Sequence, residues 1–136
     1  NRVKNGMPIL GICLGFHALF ESSNEFGNFE GFNFIDGKVR NIKNLNILER
    51  VPHVGWNNCK IIKNSKIFNN IPNNTNFYFT HSYTPIGVQE KSIIGTVDYG
   101  KEIIVAVQNQ NIFGVQFHPE KSQKQGLRLM QNFIEK

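Results

Sequence analysis

The sequence predicts an α/β domain with a partly antiparallel sheet, and three observations support this fold class. An apolar segment at residues 9–12 predicts a short buried strand, and apolar spacing from Leu14 to Glu21 predicts a helix directly after it. From Lys38 onward the pattern changes to short runs of β-forming residues separated by turn residues. Apolar periodicity near the end of the chain predicts a closing helix. This order of elements fits a mixed sheet with helices packed on it.

Six short segments after residue 37 are predicted to be strands: residues 39–42, 56–62, 77–83, 93–98, 103–107 and 112–117. Tyr99-Gly100-Lys101 and Asn109-Gln110-Asn111 are suited to hairpins between neighbouring strands. The Asn-rich stretch from Asn64 to Asn76 is interpreted as a surface loop. These segments place most of the predicted sheet in the second half of the chain.

The closing helix carries its own start signal and a predicted buried face. Ser122 and Gln125 have the S-x-x-Q spacing of a capping box, which predicts the helix start. The apolar residues that follow at helical spacing are predicted to share one face, and they are Leu127, Met130, Phe133 and Ile134.

Length and composition exclude several classes of protein. The 136 residues are enough for one domain with a core, and 40% hydrophobic residues exclude a disordered tail. The longest nearly apolar stretch, Met7 to Phe16, contains two glycines and is too short to span a bilayer. The net charge of +5 is spread along the chain in runs of at most two like charges, whereas phosphate binding needs clustered cations. We therefore expect neither a nucleic-acid partner nor a membrane anchor.

The two cysteines, Cys13 and Cys59, are too few for a disulfide framework and lack the paired spacing of a zinc site. We expect a reducing, cytoplasmic environment, no metal and no cofactor.

The segment Gly11-Ile12-Cys13-Leu14-Gly15 has the Gly-x-nucleophile-x-Gly form of a nucleophile elbow between a strand and a helix. The glycines allow close approach of the backbone, and the start of the helix is expected to lower the pKa of the Cys13 thiol. The backbone N–H of Leu14 is expected to face an oxyanion formed on a carbonyl that Cys13 attacks. The alternative is a small buried residue between packing glycines, and these five residues leave both interpretations open.

His118 is the best candidate for a base, because it ends an apolar run and is followed by Pro119 and Glu120. In an extended segment, residues two apart share a face, so Glu120 would orient the imidazole and favour its protonated form. The alternative is a surface His-Pro-Glu turn. The combination of Cys13 with His118 and Glu120 is far more informative than either part alone.

These residues resemble the class I (triad-type) glutamine amidotransferases. The two segments Gly11–Gly15 and Gly114–Glu120 look like the two catalytic signatures of that family. Other segments narrow the resemblance to the branch of glutaminase subunits of imidazole glycerol phosphate synthase, and they are Pro52–Asn57, Tyr78–Tyr83, Lys121–Gln123 and Gly126–Phe133. The resemblance implies a flavodoxin-like mixed sheet flanked by helices.

The resemblance also implies a reaction, the hydrolysis of glutamine to glutamate and ammonia. Cys13 would attack the side-chain amide carbon, His118 would carry the proton, and Glu120 would orient His118. In the branch, ammonia passes through a protected passage to a (β/α)8-barrel cyclase subunit, so a heterodimer in histidine biosynthesis is implied.

Substrate contacts carry over by position from the family. Glu25 matches a residue that holds the ammonium of glutamine, and Ser82 and Tyr83 match residues that hold its carboxylate. Where the family usually has Met-Gln after the nucleophile, this chain has Phe16-His17. His17 is either a substrate contact or a helix-surface histidine beside the site, and the sequence leaves both open.

Partner contacts carry over in the same way. His53, Trp56 and Asn57 match the family's loop at the synthase interface, and His81 and Lys121 match partner-facing positions. A lone Trp is more often a core residue, but its neighbours Pro52 and Gly55 favour the interface. Cys59 matches nothing catalytic and is interpreted as a buried thiol.

The resemblance implies that residues 1–136 are the C-terminal two thirds of a glutamine amidotransferase type-1 domain, with its N-terminal part missing. The expectation is that this segment alone would expose apolar sheet surface, lack one of two oxyanion donors and have little activity. Two other functions stay open: a related glutaminase that feeds a different barrel synthase, such as one that amidates sugars, and a non-catalytic binding subunit.

Overall fold

The computed structural model describes residues 5–135 of the chain, which form ten strands and two α-helices. In chain order they are β1 (Ile9–Ile12), α1 (Leu14–His17), β2 (Ser22–Ser23), β3 (Phe29–Glu30), β4 (Lys38–Asn41), β5 (His53–Ile61), β6 (Thr75–His81), β7 (Tyr83–Ile86), β8 (Ile93–Asp98), β9 (Glu102–Asn109), β10 (Ile112–Val115) and α2 (Gln123–Ile134). Short 3₁₀ turns lie at Ile42–Leu45, Lys66–Phe68, Glu90–Ser92 and Pro119–Lys121. Neither helix in this part of the chain is long and apolar enough to cross a membrane.

The larger sheet is mixed, as the sequence predicts. Its six strands lie in the order β1-β10-β9-β8-β5-β6. The β1–β10 pair is parallel, and every other neighbouring pair in this sheet is antiparallel. Both predicted hairpins are confirmed, because β8 turns into β9 at residues 99–101 and β9 turns into β10 at residues 110–111. The parallel pair is the one that matters for the site, since it joins two segments that are far apart in the chain.

A second, four-stranded sheet in the order β3-β2-β4-β7 was not predicted. The segment 77–83, expected as one strand, is divided at Ser82 into β6 and β7, which belong to different sheets. Strands β2 and β3 have two residues each, too few for an alternating pattern to be recognised.

The helix predicted over 14–21 is correct in position but too long, because α1 ends at His17. Beyond it the backbone tightens: the amides of Leu19 and Phe20 bond the carbonyls of Phe16 and His17, three residues earlier. Phe16, Leu19 and Phe20 are nevertheless buried, as the apolar spacing predicts. Phe16 and Leu19 pack on β10 at Gly114, where a Cβ atom would come within 2.7 Å of both side chains.

The predicted closing helix is confirmed, its cap is not, and its buried face is confirmed in part, since Met130 and Phe133 pack against the core. The Ser122 hydroxyl donates to the carbonyl of His118 at 2.7 Å and accepts from the amide of Tyr78 at 2.9 Å, so no capping box with Gln125 forms. Leu129 is fully buried, whereas Leu127 and Ile134 are 61% and 73% exposed. The face is rotated from the prediction because the helix packs through Gly126, Leu129 and Asn132.

The interpretation of Asn64 to Asn76 as a surface loop is wrong for its apolar residues. Ile67, Phe68 and Ile71 are buried in the core beneath α2, and β6 already begins at Thr75. The amide group of Asn132 on α2 donates to the carbonyls of Ile67 and Asn69 at 2.9 and 2.8 Å, which fixes this segment to the helix. Three apolar residues within an Asn-rich stretch are therefore core anchors.

Candidate active site

The parallel pairing of β1 with β10 brings the two predicted catalytic segments together. Ile12 pairs with Val115, and the amide of Cys13 bonds the carbonyl of Val115 at 3.0 Å. Because the strands run in the same direction, Cys13 leaves β1 at the sheet edge where residues 116–118 leave β10. Cys13 and His118, 105 positions apart in the sequence, therefore lie at one sheet edge.

The backbone at Cys13 has the strained conformation of a nucleophile elbow. Its φ of 54° lies in the left-handed region that non-glycine residues rarely adopt. Gly11 is required here, since a Cβ atom on it would collide with the carbonyl group of Gly15. Gly15 itself faces open space, so its lack of a side chain is not needed for packing among the described residues. The strain is held by the β1–β10 pairing on one side and by α1 on the other.

The expectation of a lowered thiol pKa at Cys13 is wrong. Burial raises the pKa of the Cys13 thiol and outweighs the backbone N–H of Leu14, which acts in the opposite direction. The carboxylates of Glu25 and Glu120 raise this pKa further, and the Lys121 ammonium lowers it. A helix of one turn supplies too small a dipole to reverse the effect of burial. The thiol therefore needs a base to ionise it.

His118, the predicted base, has one ring nitrogen bonded and the other unbonded. Its Nδ1 lies 3.2 Å from Oε2 of Glu120, while its Nε2 is buried and has no hydrogen-bond partner among residues 5–135. The backbone of His118 is fixed, since its amide bonds the Tyr78 carbonyl at 3.0 Å and its carbonyl accepts from Ser122. The alternative of a surface turn does not fit the His118 side chain, which is only 18% exposed. It does fit the Glu120 side chain, which is 57% exposed.

His17 lies inside the protein beside the predicted site and is not exposed on the helix surface. Its side chain is 6% exposed, and its Nε2 lies 2.7 Å from Oε1 of Gln116. Its Nδ1 is 3.8 Å from Oε1 of Glu25 and has no hydrogen-bond partner in the described part of the chain. Burial lowers the pKa of His17, while Gln116 and Glu25 act to raise it. The two predicted substrate contacts, His17 and Glu25, are thus neighbours.

Gln116 is a site residue that sequence reasoning missed. It is fully buried, its Oε1 faces His17, and its Nε2 lies 3.9 Å from the Cys13 sulfur. The signal was present in the sequence, since Gln116 is the one polar side chain in the apolar run 112–117. A buried amide in such a run requires polar partners, and here they are the nucleophile and His17.

A cavity of about 530 Å³ opens beside the nucleophile. Its polar lining is His17, Ser23, Glu25 and Glu30, and the rest is apolar: Leu14, Ala18, Phe26, Phe29, Gly31 and Phe32. Ser82 and Tyr83 do not line it. They lie at the break between β6 and β7, where the Tyr83 carbonyl accepts a hydrogen bond from His81 Nδ1 at 2.9 Å. The Tyr83 backbone also lies near His17 and acts to raise its pKa, so Tyr83 borders the same region through its backbone.

The residues predicted at the partner interface divide into buried and exposed ones. His53 and His81 are 3% and 6% exposed, so neither side chain is available to a partner. Trp56 is 48% exposed and packs its ring edge against Tyr78 across the β5–β6 pair, at 5.8 Å between centroids. Lys121 is exposed and Asn57 is half-buried. Trp56, Asn57 and Lys121 remain as surface residues that a partner can contact.

The buried histidines form a hydrogen-bonded pair. His53 Nδ1 lies 2.9 Å from His81 Nε2, His81 Nδ1 bonds the Tyr83 carbonyl, and the Asn57 amide lies 3.3 Å from His53 Nε2. The ring of His53 stacks on Phe79 at 4.8 Å between centroids and meets Tyr99 in a tilted contact at 4.1 Å. Burial lowers the pKa of His53 to about 4 and that of His81 to about 3. Both rings are therefore neutral at pH 7.

Cys59 is a buried structural thiol, as predicted, and burial raises its pKa to about 12. Of the two cysteines, Cys13 has the amide group of Gln116 beside its sulfur, and its neighbour Leu14 lines the cavity. Among residues 5–135, no group of three or more His, Cys, Asp or Glu side chains is placed to hold a metal ion.

Comparison with known proteins identifies the family. The family described as "Glutamine amidotransferase class-I" matches residues 1–136. The chain belongs to this family. It is 44% identical to imidazole glycerol phosphate synthase subunit HisH of Moorella thermoacetica over 132 residues, which cover 97% of this chain and 61% of the relative. It is 44% identical to the subunit of the same name from Methanocaldococcus jannaschii, with 98% and 66% covered.

The chain thus spans slightly under two thirds of the length of these relatives. The fold is similar to that of a glutamine amidotransferase from Thermotoga maritima, with a TM-score of 0.61, 23% identity, and coverage of 97% of this chain and 47% of that one. The predicted resemblance to the family and the predicted mixed α/β fold are both confirmed.

Proposed function

We propose that this protein is the cytoplasmic glutaminase subunit of imidazole glycerol phosphate synthase, which hydrolyses glutamine and supplies the ammonia to a cyclase subunit in histidine biosynthesis. The observation that carries the proposal is the β1–β10 register. It sets Cys13 beside the edge where His118 leaves its strand, with Nε2 unbonded and Nδ1 on Glu120. Relatives named as this subunit are 44% identical over nearly the whole chain.

The proposed chemistry begins with proton transfer from the Cys13 thiol to Nε2 of His118. The Cys13 sulfur then forms a bond to the amide carbon of glutamine, and the negative charge on the former carbonyl oxygen is met by the Leu14 N–H. The imidazolium of His118 gives its proton to the nitrogen as the C–N bond breaks, which releases ammonia and leaves a thioester. His118 then deprotonates a water molecule that cleaves the thioester to glutamate and restores the thiol.

The cavity supports glutamine as the substrate. It adjoins Leu14, and its polar wall carries the Glu25 carboxylate opposite the unbonded Nδ1 of His17. An α-ammonium group between them would satisfy both acceptors, since it donates three hydrogen bonds. Ser82 and the Tyr83 backbone are proposed to hold the carboxylate. Their place is the β6–β7 break, which borders the His17 side of the site.

The partner-facing surface is proposed to include Trp56, Asn57 and Lys121. Trp56 is half exposed, and a shallow surface depression joins it to Ser122 and Gln123, which follow directly after Lys121. An exposed Trp beside the catalytic segment is the kind of residue that anchors protein–protein interfaces. We expect Trp56→Ala to weaken binding of the cyclase, measured by titration calorimetry. Leu127→Ala, a matched change at an exposed apolar residue on α2, should leave it unaltered.

The function is tested by measuring glutamate release by the full-length protein, alone and with purified barrel synthases. The proposal expects stimulation by the histidine-pathway cyclase and loss of activity in Cys13→Ser. Stimulation only by a sugar-amidating synthase would favour the related glutaminase. That alternative is considered because this chain has His17 where the family usually has Gln. If a diazoketone analogue of glutamine forms no adduct with Cys13 in the assembled complex, the protein would instead be a non-catalytic binding subunit.

A further inference from the structure

Two buried side chains, His17 and Gln116, connect the cavity to Cys13. His17 Nε2 lies 2.7 Å from Gln116 Oε1, and Gln116 Nε2 lies 3.9 Å from the Cys13 sulfur. Gln116 is fully buried and His17 nearly so. A polar chain of this kind is costly to bury unless each group is satisfied, so the orientation of each member depends on the next.

The amide of Gln116 has two self-consistent orientations, and His17 decides between them. If His17 carries its proton on Nε2, it donates to Oε1 of Gln116, and the amide N–H group then faces the sulfur of Cys13. If the proton is on Nδ1, it faces Glu25, and Nε2 accepts from a reversed Gln116 whose carbonyl oxygen faces the sulfur. Only the first orientation offers a donor to a thiolate.

The proton on His17 is in turn set by what stands in the cavity. Nδ1 has no hydrogen-bond partner among the described residues and faces the Glu25 carboxylate 3.8 Å away. An ammonium group between the two requires Nδ1 to be an acceptor, which places the ring proton on Nε2. The ring holds one proton throughout, exchanged through solvent, so no net charge is gained or lost.

We propose that Gln116 is a positioning residue that donates a hydrogen bond to the Cys13 thiolate, and that a ligand ammonium group in the cavity fixes this orientation through His17. The inference rests on the proposed function for the identity of the ligand. It gives the substrate's amino group, which takes no part in the bond cleavage, an effect on the reactivity of the nucleophile. The 3.9 Å separation in the uncharged state is expected to shorten when the sulfur becomes anionic.

The first test reads the thiol directly in the full-length protein. The rate of Cys13 alkylation by iodoacetamide is followed against pH in wild type, Gln116→Met and Gln116→Glu. The charged groups that act on this thiol are Glu25, Glu120 and Lys121. They and the proposed base His118 are retained in each variant. We expect the alkylation midpoint to rise by about one pH unit in Gln116→Met, which removes the donor, and by more in Gln116→Glu, which adds a negative charge.

The control is Asn132→Leu, which removes another buried amide that donates two hydrogen bonds, to Ile67 and Asn69. A general loss of packing would affect Asn132→Leu as much as Gln116→Met. We expect Asn132→Leu to leave the alkylation midpoint unchanged. An unchanged midpoint in both Gln116 variants, with thermal melts showing folded protein, would overturn the proposal.

The second test separates substrate binding from activation. Glutamine and its deamino analogue, 4-carbamoylbutanoate, are compared as substrates. In wild type we expect glutamine to have the higher kcat as well as the lower KM. In Gln116→Met the kcat advantage should disappear while the KM advantage, which depends on Glu25, persists. If the ratio of kcat for glutamine to kcat for the analogue were the same in Gln116→Met as in wild type, the proposed effect of the ammonium group on Gln116 would be contradicted. If the wild-type protein released no glutamate, only the proposed function would be overturned. The role of Gln116 would still be tested by the alkylation midpoint.

Discussion

Two pairs of histidines in this molecule differ in how completely their ring nitrogens are used. In the pair His53 and His81, all four nitrogens have hydrogen-bond partners, and His53 also contacts the aromatic rings of Phe79 and Tyr99. His17 and His118 each use one nitrogen and leave the other buried without a partner in the described part of the chain. The four residues are all largely buried, so burial alone does not separate them.

The difference teaches how to recognise a histidine that is available for chemistry. A fully bonded neutral pair can be protonated only by breaking a hydrogen bond, so it stabilises the fold and resists charge. An unpaired buried nitrogen has a cost that persists unless the site gives it a partner, such as a proton from a nucleophile or a group of the substrate. His118 and His17 both lie at the sheet edge beside Cys13, where such partners would arrive.

The largest expected effect separates the two pairs by activity. His118→Ala in the full-length protein removes the proposed base, and because burial raises the Cys13 pKa, kcat for glutamate release should fall roughly 10³-fold. His81→Leu should reduce kcat by less than about tenfold once corrected for folded protein, because it alters packing but moves no proton. Comparable losses in the two variants would remove the distinction between the pairs.

The next effect concerns stability and should belong to the fully bonded pair. An unfolded histidine binds a proton near pH 6.5, but His53 and His81 stay neutral when folded until about pH 4 and pH 3. Between these values the unfolded chain binds more protons, so the pair's contribution is complete above pH 6.5 and is lost as the pH falls. From pH 7 to pH 5 the free energy of unfolding should decrease by up to about 4 kcal/mol from these two residues.

Urea unfolding of the full-length protein at pH 7, 6 and 5 measures this decrease. Other groups also titrate, so the useful quantity is the difference in pH dependence between wild type and the double variant His53→Phe/His81→Met. The double variant should show the shallower dependence even if it is less stable at pH 7. Equal pH dependence in the two proteins would mean that the pair is not neutral in the fold.

A smaller effect is expected at Glu120, the carboxylate proposed to orient His118. Glu120→Gln keeps the shape of the side chain but cannot stabilise an imidazolium, so kcat should fall about ten- to a hundredfold. The loss is smaller than for His118→Ala because Glu120 is 57% exposed and solvent weakens the interaction. Glu21→Gln, a change at another exposed acid, is the control for net charge. A loss in Glu120→Gln as large as in His118→Ala would mean that Glu120 handles the proton itself.

The sequence predicted the parts of the site that depend on local chain geometry. Cys13 and His118 each follow an apolar run, and their turn residues mark where the strands end. The short distance between His118 and Glu120 follows from their i, i+2 spacing. The motif segments were therefore sufficient to nominate the nucleophile, the base and its carboxylate.

What the sequence did not reveal depends on contacts between distant segments. The His53–His81 pair exists because β5 and β6 align these two residues directly across the strands, and no local pattern gives that register. The line from His17 to Cys13 needs Gln116, 99 positions from His17. The raised pKa of Cys13 likewise reflects burial by the assembled fold, which outweighs the short helix that the sequence suggested.

The smallest effect tests how the backbone of His118 is held. Ser122→Ala removes two hydrogen bonds, one to the His118 carbonyl and one from the Tyr78 amide, and should lower the free energy of unfolding by about 1–2 kcal/mol. Gln125→Ala should change it by less than about 0.5 kcal/mol, because the predicted capping box does not form. Urea unfolding measures both. Equal losses in the two variants would mean that the capping box does form. Ser122 would then stabilise α2 instead of holding the backbone of His118.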